Sequence, residues 1–293
     1  MSKKILYFLF CILFGCAPKQ EPTEPSIVLE GWIENDDHPV ALLHYSMVMD
    51  EEFDSISQLI MDKIISLGKV TVSNNHESVI LTGGFDTDYL PFYRYTSAHI
   101  IGVEGETYTI EVEYDNKLLT AKTTIPEPVY FDSIKVKKSQ DNDSAIHLTG
   151  YLTDTDPDKE NYYVLFYRYR GEEQYKNCFL GIFSDQNANE NNSISMPIYR
   201  NISLSTIKLG DEKKGRYFKP WDQLEIKLAT VDSIGYRFWS EFSSLTTTSS
   251  IAFMPIYTNV YSNIEGGKGY WIGYGVSHYT LTLQQDTLLR YNN

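Results

Sequence analysis

The chain has 293 residues and carries 25 Lys and Arg against 39 Asp and Glu, a formal net charge of −14. A surface this acidic repels nucleic-acid phosphates and anionic headgroups, so neither is an expected partner. Six histidines and three cysteines give little material for metal centres or disulfides.

The first element is an export signal over residues 1–15. Lys3 and Lys4 form a basic start, and Ile5 to Phe14 is an apolar run too short to span a bilayer as a helix. Leu13-Phe14-Gly15-Cys16 resembles a lipobox, in which a small residue precedes an obligatory cysteine. Cys16 is therefore the expected lipidation site: its thiol accepts a diacylglyceryl group, cleavage makes it the first residue, and membrane lipid becomes a partner through it. Residues 16–26 read as a solvated tether, with Pro18, Pro22 and Pro25 and hardly an apolar residue. Ala17 lacks the aspartate that retains lipoproteins at an inner membrane, so the expected location is the outer membrane, on its periplasmic or extracellular face. With Cys11 lost and Cys16 acylated, Cys178 stands alone and an apolar core must hold the fold.

Residues 27–126 read as a β-sandwich domain of immunoglobulin or transthyretin type. Ile27 to Ile33, Lys69 to Ser73, Thr107 to Tyr114 and Leu118 to Thr124 are strand-like runs, the last two joined by a tight turn at Asp115-Asn116-Lys117. One insertion, residues 53–67, has a helical period: Phe53, Ile56, Ile60, Ile64 and Leu67 share a face, and Gly68 ends it.

Residues 127–293 read as a second β-rich domain with a short helix. Ile134 to Val136, Ala145 to Tyr151, Tyr162 to Arg170 and Leu224 to Val231 are strands. In the last, Leu224, Ile226, Leu228 and Thr230 alternate with Glu225, Lys227 and Ala229, which predicts one wet face. Ser233 starts a helix with Ile234, Phe238, Trp239, Phe242 and Leu245 on one stripe, residues 184–193 read as a loop, and Gly266 to Leu283 as a strand pair.

Four stretches carry a family resemblance: Leu29-Glu30-Gly31-Trp32-Ile33; Gly105 to Ile110 with Thr123 to Pro128; Asp154 to Pro157 with Asn161-Tyr162-Tyr163; and Asn263 to Trp271. In this order they resemble the Bacteroidota lipoproteins catalogued as domain of unknown function 4249. The resemblance implies an outer-membrane lipoprotein encoded beside a TonB-dependent transporter, and it supplies no catalytic residues. The helical insertion at 53–67 departs from the plainer loop usual there.

No constellation argues for an enzyme, a cofactor or a metal. Asp154, Asp156 and Asp158 alternate as calcium ligands do, but Pro157 interrupts them and the glycine and final glutamate of a calcium loop are missing, so a polar turn is expected. Gly266-Gly267-Lys268-Gly269 lacks the Ser or Thr of a phosphate loop and reads as a tight turn or close backbone approach. His38, His44, His76, His99, His147 and His278 have no metal-ligand spacing, and Gly-x-Ser-x-Gly is absent. Cys178, inside an apolar stretch, is expected to be a buried thiol. The aromatics are more suggestive. Tyr257, Tyr261, Tyr270, Trp271, Tyr274 and Tyr279 crowd the C-terminal segment, and Tyr162, Tyr163, Phe166, Tyr167 and Tyr169 a central strand. Alternation buries half of such a set; the other half suits a small ligand, a glycan or an interface. The expectation is a non-enzymatic, lipid-anchored accessory or ligand-binding protein beside a transporter, with a surface adhesin or structural lipoprotein as the alternative.

Overall fold

The computed structural model of the protein describes residues 25–46, 56–139, 145–188, 192–201, 216–248, 260–284 and 287–291. Cys16, the signal, nearly all of the tether, Phe53 and Tyr257 lie outside the described residues. The strands are β1 (Ile27–Glu34), β2 (Val40–Tyr45), β3 (Lys69–Ser73), β4 (Ser78–Ile80), β5 (Thr82–Phe85), β6 (Tyr93–Thr96), β7 (Thr107–Tyr114) and β8 (Lys117–Thr124). They continue as β9 (Ser133–Lys138), β10 (Ile146–Thr153), β11 (Tyr162–Tyr169), β12 (Lys176–Ser184), β13 (Ser193–Ile198), β14 (Gln223–Val231), β15 (Lys268–Thr282) and β16 (Thr287–Arg290). Two helices interrupt them, α1 (Ile56–Lys63) and α2 (Ser233–Thr248). The chain is mainly β, as its composition and alternation predict.

The strands form one eight-stranded sheet, β12-β11-β14-β15-β1-β2-β6-β5, and two four-stranded sheets, β13-β10-β9-β16 and β4-β3-β7-β8. Each small sheet covers a different half of the large one, giving two sandwiches with separate cores. The first core holds Leu29, Leu43, Val70, Tyr108 and Ile110, with Ile264 and Trp271 added from the far end of the chain. The second holds Phe131, Ile134, Leu148, Tyr163, Leu165, Met196, Ile226 and Leu281. Pro126 and Pro128 fall between the two cores in sequence, while the large sheet runs on past them.

β15 joins the halves. Its start, Lys268 to Tyr274, pairs in parallel with β1, and its end, Gly275 to Thr282, pairs antiparallel with β14. The expected strand pair from Gly266 to Leu283 is therefore wrong: fifteen residues form one strand. Gly266, at φ of 80°, does lie in a turn before β15, and the glycines beyond it serve another need. The chain leaving β8 crosses β15 so closely that a Cβ on Gly273 would lie 2.6 Å from the Thr124 carbonyl oxygen, and one on Gly275 2.1 Å from that of Pro126. At Gly269, φ is +111° and a Cβ would sit 1.9 Å from the Leu29 oxygen. The close-approach reading of the cluster fits this geometry.

The β7–β8 hairpin forms as its sequence predicts, with Asp115 and Asn116 at φ of 48° and 57°, the left-handed pair that a tight two-residue hairpin turn needs. Among its described residues the insertion is helical over α1 and ends before Gly68. Ile64 leaves the helix to bridge His44, and the Ile65 amide donates to the Leu43 carbonyl at 3.0 Å. Leu67, the last member of the predicted stripe, consequently points outward. Around 184–193 a short 3-10 turn, Asp185–Asn187, follows directly from β12.

Candidate functional site

The site grows from period-two alternation on the large sheet. Odd residues of β11, even residues of β14 and odd residues of β15 face the sandwich cores; their neighbours face the opposite, outer side. The tyrosine-rich segments divide accordingly. Tyr163, Tyr167, Trp271 and Tyr279 enter the cores, while Phe166, Tyr270 and Tyr274 face outward. The outer face of β14, expected to be wet, is instead covered: Ala229 and Val231 are buried and Lys227 is only 6% exposed. The cover is α2, which the local pattern of β14 could not announce.

Helix α2 begins where Asp232 accepts from the Gly235 amide at 2.7 Å, a side-chain N-terminal cap. Its apolar side lies on the sheet: Phe238 meets Tyr270 with ring centroids 4.3 Å apart, Trp239 meets Phe166 at 5.2 Å, and Tyr236 stacks on Tyr162 at 4.4 Å. The Trp239 indole N–H donates to the Tyr274 hydroxyl at 2.9 Å. Phe238 and Trp239 thus pack as the predicted helical stripe requires; the Leu245 side chain lies outside the described residues.

Beyond the helix the same face opens into a cavity of about 500 Å³. Its walls come from both halves of the molecule: Trp32 and Glu34 on β1, Tyr89 from the β5–β6 connection, Phe166 and Arg168 on β11, Tyr175, Glu225 and Lys227, and Tyr270, Tyr274 and His278 on β15. At its floor the Lys227 ammonium pairs with the Glu34 carboxylate, with side chains 8% and 7% exposed. Two charges buried this deeply are tolerated only as partners. Lys227 Nζ also lies 4.6 Å from the Tyr175 ring centroid and 4.9 Å from that of Phe166, close enough for cation–π attraction. Beside it, Arg168 Nε and Nη2 donate to one oxygen of Glu225 at 2.8 and 2.6 Å, and the guanidinium sits 4.4 Å from the Tyr175 ring centre.

Tyr175 closes this group, its hydroxyl 3.1 Å from His278 Nδ1. Burial pushes that hydroxyl up to about 12, so it remains protonated at neutral pH. Burial, then the Lys227 charge, lowers the His278 pKa, so its ring is neutral there. Trp32 and Tyr89 stack at 6.2 Å across the mouth, and Arg94 lies 5.0 Å over Tyr89. The arrangement offers flat aromatic faces and a set of charge pairs whose remaining lone pairs and N–H groups can meet hydroxyls. Both central cations already have carboxylate partners, which suits an uncharged polar ligand better than an anion.

The other predicted positions are placed elsewhere. Asp154 is buried and accepts from the Asp156 amide at 3.0 Å, a local turn, while Asp156 and Asp158 are exposed. Among the described residues no group of three His, Cys, Asp or Glu side chains is placed to hold a metal ion. His38 and His44 hydrogen-bond to the Ile100 carbonyl and Glu30, and His76 lies 3.6 Å from Glu106, all apart from the cavity. Cys178 is buried and burial raises its pKa, which keeps the thiol protonated. Trp32, Glu34, Arg168, Tyr175, Glu225, Lys227 and His278 were not marked as site residues by the sequence; only the surplus of aromatics in β11 and β15 pointed toward the place. No helix among the described residues is long and apolar enough to cross a membrane.

A family model described as Domain of unknown function (DUF4249) matches residues 17–280. No curated protein matches the chain. Among solved structures it is similar to the crystal structure of chicken CNTN1 FN1-FN3 domains, at 9% identity, over 92% of this chain and 88% of that one. The TM-score is 0.16.

Proposed function

The chain belongs to the family Domain of unknown function (DUF4249), and from that premise we propose that it is a lipid-anchored outer-membrane binding protein. Its outer-face cavity captures a small, uncharged, polyhydroxylated ligand such as a short glycan, without turning it over. A TonB-dependent transporter is the proposed neighbour that receives the ligand. Acyl chains on Cys16 confine the protein to the membrane and raise its effective concentration there.

The observation that carries this reading is the cavity itself. Seven aromatic rings, from Trp32 to Tyr274, and two charge pairs converge on about 500 Å³, a volume within the range of small-molecule sites. Aromatic faces suit the C–H faces of sugar rings, and the carboxylate and guanidinium edges suit their hydroxyls.

Calorimetric titration of the purified chain with a panel of neutral oligosaccharides tests the site. Binding is expected for at least one, and Trp32→Ala with Tyr175→Ala should abolish it while the far-ultraviolet circular dichroism stays unchanged. A ligand that binds the double variant as tightly as the parent removes the cavity from the account. For the neighbour, gentle detergent extraction and affinity capture of the acylated protein should recover a transporter; recovery of the protein alone counts against that partner and favours the adhesin.

A further inference from the structure

We propose that one pole of the first sandwich is a bilayer-contacting surface, with Leu67 and Leu118 as its apolar anchors. The inference rests on the lipidation of Cys16 proposed above, and it adds an orientation that acylation alone does not impose.

The pole is defined by where the chain leaves the fold. Ser26 and Ser46 bind each other twice. The Ser26 amide donates to the Ser46 hydroxyl at 3.0 Å, and the Ser46 amide to the Ser26 carbonyl at 2.8 Å. The start of β1 is thereby pinned beside the end of β2. The same end holds the β7–β8 turn, since Tyr45 and Tyr114 lie with ring centroids 6.4 Å apart. It also holds the segment after α1, through the bridge between His44 and Ile64.

Apolar side chains point outward from this end. Leu67 is 87% exposed and Leu118 55%. A lone exposed leucine is ordinary, but two held outward on neighbouring loops around the exit of a lipid-bearing tether form a pair. Leu67 is held out by its surroundings: the Tyr93 hydroxyl donates to the Ser66 carbonyl at 3.2 Å, the Gly68 amide donates to the Tyr95 hydroxyl at 3.1 Å, and Ile65 is buried. The loop is braced on both sides of the leucine. Leu118 stands on a hairpin whose turn is equally fixed.

Chain length chooses the partner. Between Cys16 and Pro25 the backbone spans at most about 30 Å, even fully extended. β15 alone, at fifteen residues, is about 50 Å long. An acylated Cys16 therefore keeps this pole near the bilayer and cannot do the same for the far end of the molecule. Around the pole Lys69, Lys117 and Lys268 are matched by Glu113, Asp115 and Glu265, so there is no excess of positive charge, and apolar insertion into the interfacial layer, not attraction to anionic lipid, drives the contact.

The test uses the full acylated chain in phosphatidylcholine vesicles containing a nitroxide-labelled lipid. The native thiols do not interfere, because Cys178 is buried and Cys16 carries the acyl group. A fluorophore on Leu67→Cys should shift to the blue and lose most of its emission to the quencher; the same label on Leu288→Cys, exposed on the second sandwich, should do neither. Adding Leu118→Asp to the Leu67→Cys protein should restore emission. Equal quenching at both positions in vesicle-bound protein overturns the oriented pole and leaves the anchor standing. A chain that carries no acyl group and stays off the vesicles overturns the anchor and the pole together.

Discussion

The two faces of the eight-stranded sheet are made by the same strands and obey different rules. The inner face is mainly apolar, with Thr230 and Ser277 as buried exceptions, and is split between two cores, with Trp271 in one and Tyr279 in the other. The outer face is apolar only beneath α2 and then turns into paired charges among aromatic rings. A register slip of one residue would exchange the faces, so burying the inner face also fixes every group that lines the cavity. Recognition is thus built on a surface whose geometry is set by packing on the other side.

The seam between the faces should be the most sensitive place to break this comparison. Gly269→Ala puts a Cβ against the Leu29 carbonyl oxygen at a left-handed φ and should cost about 4 kcal/mol or more, read by chemical denaturation, with both sandwiches affected. On the inner face, Trp271 is fully buried and its indole N–H donates to the Tyr108 carbonyl at 3.0 Å. Trp271→Ala should cost about 3–5 kcal/mol by the same measurement.

On the outer face, Lys227→Ala leaves the Glu34 carboxylate buried and unpaired and should cost about 3 kcal/mol. Replacing both partners, Lys227→Met with Glu34→Met, should return stability to within about 1 kcal/mol of the parent while ligand binding stays lost. Such a split sharpens the contrast, because an inner-face substitution such as Trp271→Ala should lower stability and binding together.

The smallest expected effect is a dependence on pH. His278 has its pKa lowered from 6.5, first by burial and then by Lys227. Its neutral ring therefore contributes stability above its unfolded value, and that contribution is lost as pH falls through the folded one. His44 works in the opposite sense: burial lowers its pKa, but the hydrogen bond and charge of Glu30 outweigh this and raise it. His278→Gln should flatten the stability–pH profile below about pH 6.5, whereas His44→Gln should remove a loss of stability that sets in as pH rises above about 6.5.

Much of the fold was legible because it is local. The β7–β8 hairpin declares itself through alternation and Asp115-Asn116, and α2 through its apolar stripe. The parallel pairing of β1 with β15 was not legible, since nothing near Val28 refers to Lys268. For the same reason Lys227 looked solvated: the helix that covers its strand and the carboxylate that pairs with it lie outside any local window. The cavity combines residues from Trp32 to Thr280, and only the abundance of tyrosine in two strands hinted at it.

One strand shared by two sandwiches has a consequence for how the chain is made. Trp271 and Ile264, which complete the first core, and β15, which covers the open edge of β1, are synthesised long after the strands they complete. Strand β1 must wait, with an unpaired edge, until β15 appears, a topology of very long sequence separation that slows folding. Truncation before Lys268 would remove β15 and with it the parallel partner of β1.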